Sequence, residues 1–216
     1  EPVFFVPLLA LVLLALSLLT GCAQIDEAEE PLFPPEEDPA PEETAAALPS
    51  AFSLPYLAGQ PLNPLTCPDG MQQTAASLLY EGLFHLDGQF TPQPLMCASY
   101  TYDPEALTYV LTLRQGVVFS DGSPLTAADV KATLTAARSS ARYAPRLADV
   151  KSISAGNGTV TLTLSRPNSA LPALLDIPIT SKSSAGSAVP VGTGPYVYAA
   201  GDSGASLIKN TSWWKG

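Results

Sequence analysis

Few side chains in this sequence could do chemistry, and their spacing narrows the field further. The 216 residues hold one histidine, His85, and three cysteines, Cys22, Cys67 and Cys97. Gly201-Asp202-Ser203-Gly204 could present a nucleophilic serine, but a triad would need His85 as its base and an acid such as Asp121 or Asp149 to orient it. Ala205 stands where such a loop wants another glycine, and a turn is needed there anyway between Val197 and Leu207, so a plain turn is the better reading. His85 sits in an apolar run and reads as a satisfied structural histidine. With no CxxC, no HExxH and no grouping of histidine with carboxylates, no metal site and no cofactor is expected. Gly192-Thr193-Gly194-Pro195 is a fragment of a dinucleotide fingerprint, with a proline where the helix should start. The chemistry left is binding without catalysis. Asn63-Pro64 and Ser120-Asp121-Gly122-Ser123 are loops rich in main-chain groups that a ligand could use, although Asp121-Gly122 equally serves its own turn.

The elements that must position these loops centre on residues 107–137. Leu107, Tyr109, Leu111 and Leu113 alternate with Thr108, Thr112 and Arg114, the period of a half-buried strand. Gln115-Gly116 breaks the run, Val117 to Phe119 resumes it, and Ser120 to Pro124 supplies the turn. A helix then opens. Thr126 is placed to cap the amides of Ala128 and Asp129, Asp129 can answer to the Thr126 amide, and Val130, Leu134 and Ala137 share one stripe.

The run LTYVLTLRQGVVFSDGSPLTAADV closely resembles the signature of the family 5 extracellular solute-binding proteins, the peptide- and nickel-binding receptors of ABC importers. Leu79-Tyr80-Glu81-Gly82-Leu83-Phe84 upstream and Pro190-Val191-Gly192-Thr193-Gly194-Pro195-Tyr196 downstream resemble that family's other landmarks, in the same order. The resemblance covers about residues 51–216. It implies one lobe of a two-lobed periplasmic-binding-protein-like fold that closes on a peptide or other small solute, and docking of the closed form on ABC permease subunits. It also implies a monomer. Family members are far longer, so residues 51–216 are expected to be the N-terminal part of the solute-binding domain, with the second lobe absent and peptide binding by this stretch weak or nil. The Gly192 loop is implied to be structural, Tyr80-Glu81-Gly82 reads as a helix end that packs the lobe, and the loop around Asn63 is implied to lie near the cleft.

Val3 to Leu19 is almost wholly apolar, about the length of a signal-peptide core. Leu19-Thr20-Gly21-Cys22 resembles a bacterial lipobox, which implies a signal peptide over residues 1–21, a lipidated Cys22 and an extracytoplasmic, membrane-anchored protein. Residues 22–49 read as an acidic, proline-rich linker with too little apolar surface to offset its ordering entropy. The formal net charge of −10 comes from this end. Residues 1–49 hold ten acids and no base, and the other ten acids face all ten bases. A neutral folded part gives no basic face for nucleic acid.

Phe52 to Tyr56 reads as the first strand, Gly59 to Leu65 as a loop, and residues 71–80 as a helix. Leu83 to Phe90 reads as a hairpin about Asp87-Gly88. Leu95–Tyr102 should pair with Leu107–Leu113, and Val150–Ser154 with Val160–Leu164. Asn168–Leu175 suggests a short helix, and Pro178–Thr180, Tyr196–Tyr198 and Ser206–Lys209 are further strands. Strands and helices without regular alternation make the fold class α+β (mixed α/β). In an exported chain Cys67 and Cys97 can form a disulfide, stabilising by roughly 3 to 4 kcal/mol in the chain-entropy model, or remain two buried thiols. A lipid-anchored surface protein that uses one lobe for adhesion or structure is the alternative function left open by these residues.

Overall fold

The structure, a computed structural model, describes residues 51–67, 70–201 and 204–216. The chain divides into two units, Glu1–Ser50 and Ala51–Gly216, and the signal segment, Cys22 and the acidic linker lie outside the described residues.

The centre is a four-stranded antiparallel sheet in the order β3-β4-β6-β5, built from β3 (Cys97–Asp103), β4 (Thr108–Leu113), β5 (Val150–Ala155) and β6 (Thr159–Leu164). Alternation fixes its register. Tyr109 faces Leu162 and Leu111 faces Val160, and all four are buried on the face that becomes the core. Helix α2 (Ala127–Ala137) covers β5 and β6, burying Val130, Thr133, Leu134 and Ala137. Its start is a capping box. The Thr126 hydroxyl accepts the Asp129 N–H, and the Asp129 carboxylate accepts the Thr126 N–H at 3.0 Å. The other oxygen of Asp129 accepts the Lys182 N–H at 2.8 Å, so the cap also ties α2 to the 181–184 turn.

Around this sheet lie α1 (Gly70–Ala76), the hairpin β1 (Phe84–Leu86) with β2 (Pro92–Pro94), α3 (Leu171–Leu174) and the hairpin β7 (Tyr196–Gly201) with β8 (Gly204–Lys209). A second, smaller cluster of Leu62, Ala75, Ala76, Leu79 and Tyr80 packs beneath β7 and β8, with Tyr56, Val189, Tyr196, Tyr198 and Leu207 against it.

Several expectations need correction. Phe52–Tyr56 forms no strand. Pro55 lacks a donor in mid-segment, and just past the segment the Leu57 N–H goes to the side-chain oxygen of Gln72 at 2.9 Å. Phe52 and Tyr56 instead meet Tyr196 and Tyr198 ring to ring. Pro178–Thr180 forms only a bridge to Gly82, made by the Ile179 N–H on the Glu81 carbonyl; pairing stops there because the Thr180 N–H goes to the Thr133 hydroxyl. The first helix ends at Ala76, after which the Leu78 and Leu79 carbonyls accept the N–H groups of Tyr196 and Gly194. The second strand of the first hairpin starts at Pro92, since Asp87 organises a longer loop. The pairing of β3 with β4, the β5–β6 hairpin and the β7–β8 hairpin form where the sequence predicts them.

Candidate functional site

The three stretches singled out by sequence meet at one joint. Gly192 and Gly194 lie so close to the end of α1 that a Cβ on Gly192 would sit 2.1 Å from the Leu79 carbonyl oxygen, and one on Gly194 2.4 Å from that of Leu78. Only hydrogen fits there. The Ser120 N–H then donates to the Gly192 carbonyl at 2.9 Å, fastening the Ser120–Ser123 turn to this loop. Between the two glycines, fully buried Thr193 donates its hydroxyl to the Glu81 carboxylate at 3.1 Å.

Glu81 is the keystone of the joint. Its side chain is 8% exposed, and it accepts the Trp214 indole N–H at 2.6 Å and pairs with the Lys215 ammonium at 2.9 Å. The Arg114 guanidinium lies over the Trp214 ring, 5.8 Å from its centroid. A carboxylate this buried is tolerable because both oxygens have donors and one partner carries the opposite charge.

A pocket of about 180 Å³ opens beside the joint, walled by Leu79, Ser120, Val189, Gly192, Tyr196 and Tyr198 among others. No charged side chain lines it, so it offers apolar walls and a few hydroxyl and main-chain groups. Its back is held from outside: the Tyr80 hydroxyl donates to the Pro190 carbonyl at 2.9 Å, and burial pushes that phenol's pKa well up.

Of the six loop residues proposed from sequence, Ser120 alone lines this pocket. Asn63 and Pro64 are buried. The Asn63 amide donates to the carbonyls of Ala185 and Ser187 at 2.9 and 3.2 Å, and its oxygen accepts the Leu65 N–H, so its side chain braces the segment leading to Val189. Asp121 and Gly122 are exposed at the tip of their turn. Asp121 accepts the hydroxyl and N–H of Ser123 at 2.6 and 2.9 Å, and these bonds, the hydroxyl first, hold its carboxyl below the usual range. Gly122 has φ +82° with open space around its α-carbon, so it is needed for conformation and not for clearance.

The expected Cys67–Cys97 disulfide is not formed. Cys97 heads β3 inside the main core, its Sγ directed at the Ser99 carbonyl 3.2 Å away, and burial pushes its thiol up to about 11. His85 is exposed on β1, where an apolar strand suggested burial. Gly201 and Gly204 close the β7–β8 pair, while Asp202 and Ser203 lie outside the described residues. Among the described residues, no three histidine, cysteine or carboxylate side chains are grouped to hold a metal ion.

By sequence Tyr80-Glu81-Gly82 reads as a helix end, and the structure makes Glu81 a hub instead. Its one visible signal is a lone acid inside the apolar run Leu78–Phe84.

Residues 91–216 match the model of the bacterial extracellular solute-binding proteins, family 5 Middle. The glutathione-binding protein GsiB of Escherichia coli K12 is 34% identical over 148 residues, covering 62% of this chain and 29% of GsiB. Among solved structures, NikA from Brucella suis in complex with Fe(III)-EDTA superposes with a TM-score of 0.64 at 27% identity, over 76% of this chain and 36% of NikA. The oligopeptide-binding protein AppA from Bacillus subtilis, in complex with a nonapeptide, gives 0.61 at 23% identity over 71% of this chain, which bears on the fold alone. The chain thus spans about a third of the length of the proteins it matches, and its α+β architecture is that of a fragment of a periplasmic-binding-protein lobe.

Proposed function

This chain belongs to the bacterial extracellular solute-binding proteins of family 5, and from that premise we propose that it captures a peptide or related small solute and delivers it to the membrane permease of an ABC importer. Residues 51–216 form the N-terminal part of its solute-binding domain. Residues 1–21 are a signal peptide, Cys22 carries the lipid that holds the protein at the outer side of the membrane, and residues 22–49 are the tether.

The observation that carries this reading is the joint itself, where the Ser120 turn, the Gly192 loop and the Glu81 segment are fastened into one rigid wall beside an uncharged pocket. Apolar walls with a few hydroxyl and main-chain groups and no charged side chain suit a small solute held by shape and a few polar contacts. In this reading Ser120, Asp121, Gly122 and Ser123 face the solute, and Asn63 and Pro64 support the wall from behind.

Two experiments test it. Titration calorimetry of the full-length protein against peptides, free amino acids and metal chelates should give saturable binding for at least one class, and silence across all three classes would refute solute capture. Metabolic labelling with a radioactive fatty acid should mark the wild type and not Cys22→Ala, and equal labelling of both would refute the anchor.

A further inference from the structure

The pocket beside the joint has a volume of about 180 Å³. A site that encloses a whole drug-sized ligand takes about 300–1,000 Å³, so this one holds a single side-chain-sized group and the rest of the solute lies outside it. Its walls are set before any solute arrives. Gly192 packs against the Leu79 carbonyl so closely that no side chain fits between them, and the Tyr80 hydroxyl fixes the Pro190 carbonyl. The rings of Tyr196 and Tyr198 are backed by those of Phe52 and Tyr56, at centroid distances of 6.1 and 6.5 Å.

Those walls carry little that can pair a charge. Among the described residues that line the pocket, side-chain polarity is confined to the hydroxyls of Ser120, Tyr196 and Tyr198. Main-chain donors are largely spent as well. The N–H groups of Leu79, Ser120 and Tyr196 donate to the carbonyls of Ala76, Gly192 and Leu78, that of Val191 donates to the Ser184 hydroxyl, and Pro190 has none. A carboxylate entering here exchanges its water for little more than neutral hydroxyls, and an ammonium meets no acidic side chain. An aliphatic or aromatic group gives up no such hydration and buries its surface against Leu79, Val189 and the tyrosine rings.

We infer that this pocket is a charge-excluding subsite that takes one uncharged, apolar side chain of the solute. The inference rests on the solute-capture reading above and adds the class of group that the Ser120 wall selects.

The test is calorimetry of the full-length protein against trialanine and its single substitutions, with leucine, asparagine, aspartate or lysine placed at each position in turn. At one position leucine is expected to bind at least about tenfold more tightly than aspartate or lysine, with asparagine between them. Val197→Lys sets an ammonium on the wall, and is expected to raise the affinity for the aspartate peptide at that position about tenfold while weakening the leucine peptide. Ser120→Lys should shift the preference the same way, so a fold lost in one variant leaves the other to decide.

Aspartate or lysine within about threefold of leucine at every position overturns the subsite. So does a leucine preference left intact in either variant once its unfolding temperature shows it folded, because the preference then arises elsewhere. Binding of an anionic metal chelate but of no peptide removes the subsite and keeps solute capture. Silence toward peptides, free amino acids and chelates alike removes both together.

Discussion

The carboxylate of Glu81 accepts the indole N–H of Trp214 at 2.6 Å across 133 positions of sequence. Through this contact the last turn of the described chain, the Gly192 loop and the entry to β1 are held as one body. Glu81→Ala leaves Thr193, Trp214 and Lys215 without their acceptor in a largely buried place, and the expected loss is about 3 kcal/mol or more in urea unfolding. Lys215→Ala takes the paired cation from the Glu81 carboxylate but leaves it the Thr193 and Trp214 donors, and the expected loss is about 1–2 kcal/mol, smaller than that of Glu81→Ala. Equal losses in the two variants would contradict the assignment of Glu81 as the hub.

The glycines of the site separate clearance from conformation. Gly192→Ala drives a methyl group into the Leu79 carbonyl and is expected to destabilise by about 3 kcal/mol or to prevent folding. Gly122→Ala meets no neighbour and carries only left-handed strain, about 1–2 kcal/mol. Denaturant midpoints of the two variants give the order directly.

Cys97 makes stability fall with alkaline pH. Its thiol titrates near 11 in the fold against about 8.5 in an unfolded chain. Between those values the unfolded state has lost the proton that the native state keeps, so the contribution is complete below about 8.5 and declines as pH rises toward 11. The slope is read best between about pH 8.5 and 9, roughly a unit below the pKa of about 10 at which tyrosines of the unfolded chain ionise. Cys97→Ala should flatten it there, and an unchanged slope would show that the thiol does not titrate as its burial dictates. Mapping of the unreduced protein should find no peptide linking Cys67 to Cys97.

Much of the local structure was legible in the sequence, and the reason is range. The capping box of Thr126 with Asp129 spans three residues, and the β5–β6 hairpin turns on Gly156-Asn157-Gly158, so both are written in adjacent positions. The functions of Asn63 and Glu81 were not legible. Asn63 donates to carbonyls 122 and 124 positions away, and Glu81 meets Thr193 at a separation of 112. Nothing in their neighbours announces such partners. Phe52–Tyr56 misled because an apolar segment resembles a strand until its donors are counted, and Pro55 has none. Cys67 and Cys97 misled because a pair of cysteines in an exported chain suggests a bridge whatever their surroundings.

Solute capture is tested most directly by titrating the full-length protein, and a Ser120→Trp variant whose indole would fill the pocket, with a panel of short peptides in a calorimeter. The account predicts saturable binding by the wild type and at least a tenfold loss in the variant, with its unfolding temperature near that of the wild type. Equal affinity of the two proteins for the same peptide would contradict the placement of the solute at the Ser120 wall.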